Sequence, residues 1–299
     1  MDCYSTLGMR KYSYRMKTLF LSFGDGSPQM IEAANRIGEQ AISMKTFSQV
    51  TILNNETLLE IIPTYENTLK NMKQLDADPL YYRAIKTYLI DWGLRGYFGK
   101  FDVIMYCDAG SEFVDNFFSR KKLKKLLNQA YCLGGVAQHL NVKEMQFTKK
   151  KLFEYLGCST DERNSLQIQA TWSMWKNSDD NRKIVKQWVE LSSAELDLWQ
   201  NPIGTEEEFC DFIEHRRDQS IFSILWKRSG NYSFPELRDF RTILSASFPI
   251  QNRRNRTGQT QVSKVSNSWI AGLVSLTYKT YYPKIKNFWL IGKRLAIRT

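Results

Sequence analysis

Three short stretches hold the residues whose types and spacing could do chemistry. In "FDVIMYCDAGSEF", residues 101–113, Asp108 ends an apolar run, and Gly110 and Glu112 follow within five positions. Two carboxylates around a small residue suit a hard cation such as Mg²⁺ or Mn²⁺, which takes carboxylate oxygens together with substrate phosphates. An aspartate there can equally close the strand with an Asx-turn. In "EHRRDQSIFSIL", Glu214, His215, Arg216, Arg217 and Asp218 run directly into an apolar helix. Asp218 or Ser220 can cap that helix. Capping accounts neither for His215, one of two histidines in the chain, nor for two arginines where the helix dipole disfavours cations. An anionic ligand would account for them, and so would a solvated face. In "QNRRNR", Arg253, Arg254 and Arg256 can clamp a diphosphate or lie on a surface loop.

The elements that must position these residues follow from apolar periodicity. "TLFLSFGDGSPQ" reads as a buried strand ending in a glycine turn, "QMIEAANRIGEQAISM" as an amphipathic helix and "SQVTILN" as a second strand. That order predicts a parallel sheet with ligand chemistry at the carboxyl ends of its strands. "ADPLYYRAIKTYLIDWGLRG" predicts an aromatic-rich helix, and "FDVIMYCD" a strand buried on both faces, so Asp108 emerges at the sheet's carboxyl edge. "SRKKLKKLLNQA" reads as a basic amphipathic helix, "TKKKLFEYLG" as a short helix, "LQIQATWSMWKN" as a strand or hairpin and "SDDNRKIVKQWVELSS" as a helix. The stretch from Glu207 reads as a loop leading into the "SIFSIL" helix, and "FPIQNRRNRTGQTQ" as a surface loop.

The composition bounds the partners. The chain has 299 residues with a formal net charge of +11 and a sequence pI near 9.3, which invites nucleic acid, an anionic membrane or a phosphorylated substrate. With 42% hydrophobic and 13% aromatic residues, it is not a disordered chain. Five dispersed cysteines without a C-x-x-C pair suggest neither a disulfide framework nor a zinc site and fit a reducing compartment. No stretch reads as a signal peptide or a spanning helix, so the expectation is a cytoplasmic protein that can attach to the inner face of a membrane. The turn "SFGDGSPQ" has neither dinucleotide-fold nor P-loop spacing. No helix-turn-helix, zinc-finger or RNA-recognition signature accompanies the arginines, which argues against nucleic acid.

Taken in order, "LFLSFGDG", "AANRIGEQA", "YYRAIKTYLI", "DVIMYCDAGSE", "QATWSMWKNSDDNRKIVKQWVEL", "HRRDQSIFSIL" and "FPIQNRRNR" resemble nucleotide-sugar glycosyltransferases of the GT-A fold. The nearest are those of bacterial and viral surface-polysaccharide clusters, with a looser likeness to galactomannan-type galactosyltransferases. The resemblance implies an α/β fold with a mixed, mainly parallel sheet flanked by helices over residues 18–257, after a basic tail (1–17) and before a basic aromatic, helical C-terminal extension (258–299). It implies a hexosyltransferase-like enzyme of capsule or lipopolysaccharide type, taking a nucleoside diphosphate sugar donor and a glycan or glycolipid acceptor. By the same resemblance Asp108, with Glu112, would hold Mn²⁺ or Mg²⁺, because Gly110 stands where the second aspartate of D-x-D is familiar. Phe23, Gly24, Arg83, Lys86, Gly110, His215, Arg253 and Arg254 would meet the donor, Gln167 and Gln169 would face its sugar, and Asp218 with Gln219 would sit beside the acceptor. Asp218 would serve as general base in an inverting enzyme or orient the sugar in a retaining one.

Two other readings stay open. Trp269, Tyr278, Tyr281, Tyr282, Phe288 and Trp289 alternate with lysines and Arg294 in the last 32 residues, which suits an anionic membrane surface or an ordinary terminal helix. The whole chain could instead be a noncatalytic basic module binding RNA or anionic lipid. That alternative gives no reason for an acidic turn at a sheet edge.

Overall fold

A computed structural model describes residues 16–75, 82–194, 196–202, 207–235, 248–252, 254–255 and 257–259. The tail before residue 16, the extension from residue 260 onward, Arg253 and Arg256 lie outside the described residues, as does the side chain of Arg83. The elements run β1 (Thr18–Phe23), α1 (Pro28–Ser43), β2 (Gln49–Leu53), α2 (Asn55–Ile61), α3 (Tyr65–Leu75), α4 (Tyr82–Arg95), β3 (Val103–Cys107) and β4 (Ser111–Phe113). They continue with α5 (Phe117–Leu133), β5 (Gly135–Lys143), α6 (Glu144–Phe147), α7 (Lys150–Tyr155), α8 (Thr160–Asn164), β6 (Leu166–Ile168) and β7 (Trp172–Lys176). The last are α9 (Asp179–Ala194), α10 (Leu196–Trp199), α11 (Asp218–Arg228), β8 (Tyr232–Pro235) and β9 (Ile250–Asn252).

The central sheet has the order β2-β1-β3-β7-β5-β6, with β8 also on β5. β1 is parallel to β2 and β3, β7 is antiparallel to β3 and β5, β6 is antiparallel to β5, and β8 is parallel to β5. Strands β1, β2, β3, β5 and β8 therefore share one direction, which makes this a mixed, mostly parallel sheet flanked by helices, as the sequence predicts.

The pleat of β3 explains its uninterrupted apolar run. Ile104 and Tyr106 belong to a core with α4, α9 and α11, while Val103, Met105 and Cys107 belong to another with α1 and α5. On the first face four rings interlock: Trp175 meets Trp226 edge-on at 4.7 Å, and Trp188 lies 4.8 Å from Phe222. This joins α9 and α11 to the strand that neighbours β3, and Trp188 Nε1 donates to the Asp218 carbonyl at 3.2 Å. α1 starts where Ser27 accepts the Met30 N–H and Pro28 takes the first turn.

Two expectations are corrected. "LQIQATWSMWKN" forms strands, but not a hairpin: β6 and β7 lie on either side of β5. "FPIQNRRNR" is not simply a surface loop, because Ile250–Asn252 pairs antiparallel with β4 and Asn255 is buried.

Gly24, expected to touch the donor, has a packing reason of its own. A Cβ there would lie 2.3 Å from the Met30 carbonyl oxygen and 2.5 Å from Ala34 Cβ. Gly24→Ala should therefore destabilise the fold by about 2 kcal/mol or more through overpacking against backbone. Urea unfolding should show a lower midpoint with an unchanged slope.

Candidate functional site

Three of the residues singled out from sequence meet at one point. Lys86, on the second turn of α4, places Nζ 3.0 Å from Asp108 Oδ1 and 3.0 Å from Asp218 Oδ2. Its remaining contact is the Ala170 carbonyl at 3.4 Å, and the Tyr106 ring lies beneath it at 5.9 Å. Lys86 is only 7% exposed and Asp218 6%, whereas the Asp108 side chain keeps 36% of its surface accessible. Lys86 and Asp218 thus form the floor, and Asp108 is the carboxylate that faces outward.

Backbone geometry fixes each member. The Asp108 N–H donates to Thr171 O at 2.8 Å, and the turn after it closes through Ser111 N–H to Asp108 O at 3.0 Å. The turn is thus made by the main chain of Asp108, leaving its carboxylate to Lys86 and to the Tyr106 hydroxyl. Asp218 is the first residue of α11, and the capping position before it is Arg217, which makes no side-chain cap bond. Its carboxylate goes to Lys86, so capping is not its role. Arg217 enters the helix at φ 46°, a conformation that costs a residue with a side chain about 1–3 kcal/mol and clusters at functional sites.

Burial by itself would lower the Lys86 ammonium, but Asp108 and Asp218 outweigh it and its pKa rises above the usual lysine value. Lys86 therefore stays protonated across the neutral range. Asp108 is raised above the usual aspartate value, first by its low-dielectric surroundings and then by the like charge of Asp218, with Lys86 opposing. Tyr106 is held far above the usual tyrosine range by burial and by Asp108, so it stays a neutral hydrogen-bond donor. One ammonium between two carboxylates leaves an excess negative charge, exposed at Asp108.

The glutamines frame this point. Gln219 donates to Gln167 Oε1 at 2.7 Å and accepts the Ala170 N–H at 3.3 Å. Gln169 bonds Gln138 and accepts from Asn252 Nδ2, whose Oδ1 in turn accepts from Ser111 Oγ at 3.3 Å. Residues 169–171 therefore border the triad on one side and β9 on the other.

Other expectations are overturned by geometry. Glu112 is wholly buried on β4, and its Oε1 accepts from Asn255 Nδ2, so it does not converge with Asp108 as a second metal ligand. Both ring nitrogens of His215 are occupied: Nδ1 accepts the Lys149 N–H at 3.3 Å, and Nε2 donates to Leu198 O at 2.9 Å. That ring has no nitrogen left for a diphosphate. Gly110 makes room for protein rather than ligand, since a Cβ there would meet Arg254 Cα at 3.3 Å. Phe23 lies in the core. Arg254 is exposed at φ 53°, beside Asn255, whose N–H bonds the Gly110 carbonyl at 2.9 Å.

Sequence reasoning missed Arg36. From the apolar stripe of α1 it donates to the carbonyls of Ala109 (2.8 Å), Ser111 (3.1 Å) and Asn255 (3.2 Å) and to that of Thr257. Burial lowers its pKa and the Glu112 charge opposes that. Arg36 thereby ties the acidic turn to the 252–257 segment. The available signal was a cation among Ala33, Ala34, Ile37 and Ala41, all buried with it.

A divalent cation is tested by this donor set. Among the described residues no group of three His, Cys, Asp or Glu side chains converges. The outward Asp108 carboxylate with its excess charge fits a cation that takes one carboxylate and completes its shell with substrate phosphates and water. A two-carboxylate seat with Glu112 does not fit.

No protein-family model and no curated protein matches the sequence. Among solved structures, a glycosyltransferase involved in glycosylation of the major capsid of PBCV-1 superposes with a TM-score of 0.40 at 8% identity, over 74% of this chain and 81% of that one. Mouse xyloside xylosyltransferase 1 gives 0.40 at 11% identity, over 74% and 84%. The glycosyltransferase GlyE of Streptococcus pneumoniae TIGR4 gives 0.38 at 12% identity, over 76% of this chain and 47% of that one. The superpositions are partial, and the reading of the site rests on its own geometry. No described helix is long and apolar enough to cross a membrane.

His215 makes a pH prediction. Burial first, then the charges of Lys149 and Arg217, push its pKa down to about 3, against about 6.5 unfolded. The unfolded chain takes up a proton through this window and the folded chain does not. Stability contributed by the neutral ring is therefore complete above pH 6.5 and lost as pH falls towards 3, by up to about 1.4 kcal/mol per unit. Melting temperatures between pH 7 and 4 should fall along this slope, and His215→Gln should flatten it; an equal slope in both would refute the assignment.

Proposed function

We propose that this protein is a glycosyltransferase, moving a sugar from a nucleoside diphosphate donor to a hydroxyl of a glycan or glycolipid. The observation that carries the reading is the outward Asp108 carboxylate at the carboxyl edge of a mostly parallel sheet, held with Asp218 on the single ammonium of Lys86. Ligands of open α/β sheets bind at that edge. A buried ammonium with two carboxylates is a poor stability device, and a noncatalytic basic module would have no use for it.

In this reading Asp108 faces the donor, and the Asp218–Gln219 pair faces the acceptor. Mg²⁺ or Mn²⁺, when bound, would be held by Asp108 and would neutralise the leaving diphosphate. Lys86 fixes the separation of the two carboxylates, so that one can meet the donor while the other orients or deprotonates the attacking hydroxyl. Burial of Lys86 and Asp218, with the Tyr106 ring 5.9 Å from Lys86 Nζ, strengthens the charges on the floor of the site. Arg254, exposed beside the acidic turn, adds a cation for phosphate oxygens. Arg253 and Arg83 are proposed for the same role from sequence alone. The acceptor belongs to a cell-surface polysaccharide or its lipid-linked precursor, by resemblance of the motifs.

The test is thermal denaturation with a panel of nucleoside diphosphates, each with Mn²⁺ and with Mg²⁺. One base should raise the melting temperature by about 5 °C at concentrations about 100-fold above its Kd. Asp108→Asn should lose that shift while folding normally. The proposal fails if no diphosphate shifts the protein and Asp108→Asn behaves as the parent does.

A further inference from the structure

The long helix α5 carries two features that its packing does not use. Its buried face, Ser119, Leu123, Leu126, Leu127 and Ala130, covers β5 and β7. The opposite face exposes Lys121, Lys122, Lys124 and Lys125, none of which forms an ion pair among the described residues. Arg120 alone is paired, with Asp115. The arrangement opposes helix stability. The first turn has no acidic residue, so nothing on the helix offsets the cations that follow. Lys121 and Lys125 are like charges at i,i+4, and Lys121 with Lys124 and Lys122 with Lys125 at i,i+3. The second feature is a pair of aromatic rings at the helix start. Phe117 is 72% exposed and Phe118 36%, packed edge to face with centroids 5.5 Å apart.

Position on the helix joins the two. At 3.6 residues per turn, Phe117, Lys121, Lys124 and Lys125 fall on one stripe opposite the buried residues. Position in the fold separates them from the site. Just before α5 the Phe113 N–H donates to Gln40 Oε1 at 2.9 Å and its ring packs on Phe47, and the Asp115 carboxylate meets Ser43, so the helix starts beside the end of α1, where β1 and β2 begin. Phe117 and Phe118 therefore stand towards the amino edge of the parallel strands, away from Asp108.

From this placement we propose that the N-terminal half of α5 docks on an anionic lipid bilayer, the phenyl rings entering the headgroup boundary and Lys121, Lys124 and Lys125 meeting lipid phosphates. A convex helix bearing protruding rings beside a lysine row is the pattern of an interfacial helix. A single-stranded RNA would instead want a basic groove with flat ring faces to stack on, and these two rings cover one another edge-on. The inference rests on α5 alone and does not depend on the chemistry proposed for the site.

The test is co-sedimentation of the full chain with vesicles of phosphatidylcholine containing about one-third phosphatidylglycerol, beside pure phosphatidylcholine vesicles. The chain should sediment with the anionic vesicles only, and less as salt rises. Phe117→Ser with Phe118→Ser, and separately Lys121→Gln with Lys124→Gln and Lys125→Gln, should each weaken binding about tenfold or more without lowering the melting temperature. Phe117→Leu with Phe118→Leu should retain it. The proposal is overturned if the parent does not bind anionic vesicles, or if both loss variants bind as the parent does, which would place the contact elsewhere on the chain. It is also overturned if the chain binds single-stranded RNA through these lysines and ignores the vesicles.

Discussion

One ammonium group shared by two carboxylates organises the centre of this protein. Without Lys86, Asp108 and Asp218 would be like charges brought together in poorly hydrated surroundings, and one would take up a proton or move away. With it, both can remain charged at contact distances of 3.0 Å. The elements around the triad each supply a fixed end: α4 carries the lysine, β3 ends at Asp108 and α11 begins at Asp218. The tryptophan and phenylalanine cluster of α9, α11 and β7 holds these ends in register. The strained entry at Arg217 is held on one side by the Arg216 N–H on the Phe147 carbonyl and on the other by Trp188 on the Asp218 carbonyl.

A second framework holds the outward face. Arg36 grips the main chain of Ala109 and Ser111 on one side and of Asn255 and Thr257 on the other, which ties the acidic turn to Asn255 and Thr257. A side chain at Gly110 would press on that backbone, its Cβ 3.3 Å from Arg254 Cα. The place where a familiar motif carries its second aspartate is here taken up by the backbone of Arg254, which leaves Asp108 as the single exposed carboxylate of the turn. The excess charge at the triad thus points to one contact with a cation or with sugar hydroxyls, and not to a chelating pair.

Much of this was legible in the sequence, and the failures have physical reasons. The opening strand, helix and strand, the buried β3 and the basic helix α5 all announce themselves by apolar period. Asp108 stood out because it ends an apolar run, and Asp218 because it closes a charged run at the start of an apolar helix. β5 did not, because "GVAQHLNVK" is nearly half polar, and Gln138 is satisfied inside by Gln169. Glu112 misled because the turn at 108–111 breaks the strand before it, so spacing along the chain no longer tells which way a side chain faces. His215 misled because a rare residue inside a charged run reads as a ligand, whereas both its nitrogens tie loop backbones together. Lys86 was singled out from the likeness of its segment to a family pattern. Nothing in the sequence tells that it bridges residues 22 and 132 positions away, since that pairing exists only once α4 lies across the sheet.

The most direct measurement is a double-mutant cycle on urea unfolding with Lys86→Met, Asp218→Asn and both together. If Lys86 and Asp218 form one buried charged unit, removing Lys86 alone should cost about 3–5 kcal/mol. The double variant should then be less damaged than the sum of the two, with a coupling of about 1–3 kcal/mol. Additive effects would contradict the account, because they would mean that the two side chains stand near each other without depending on each other.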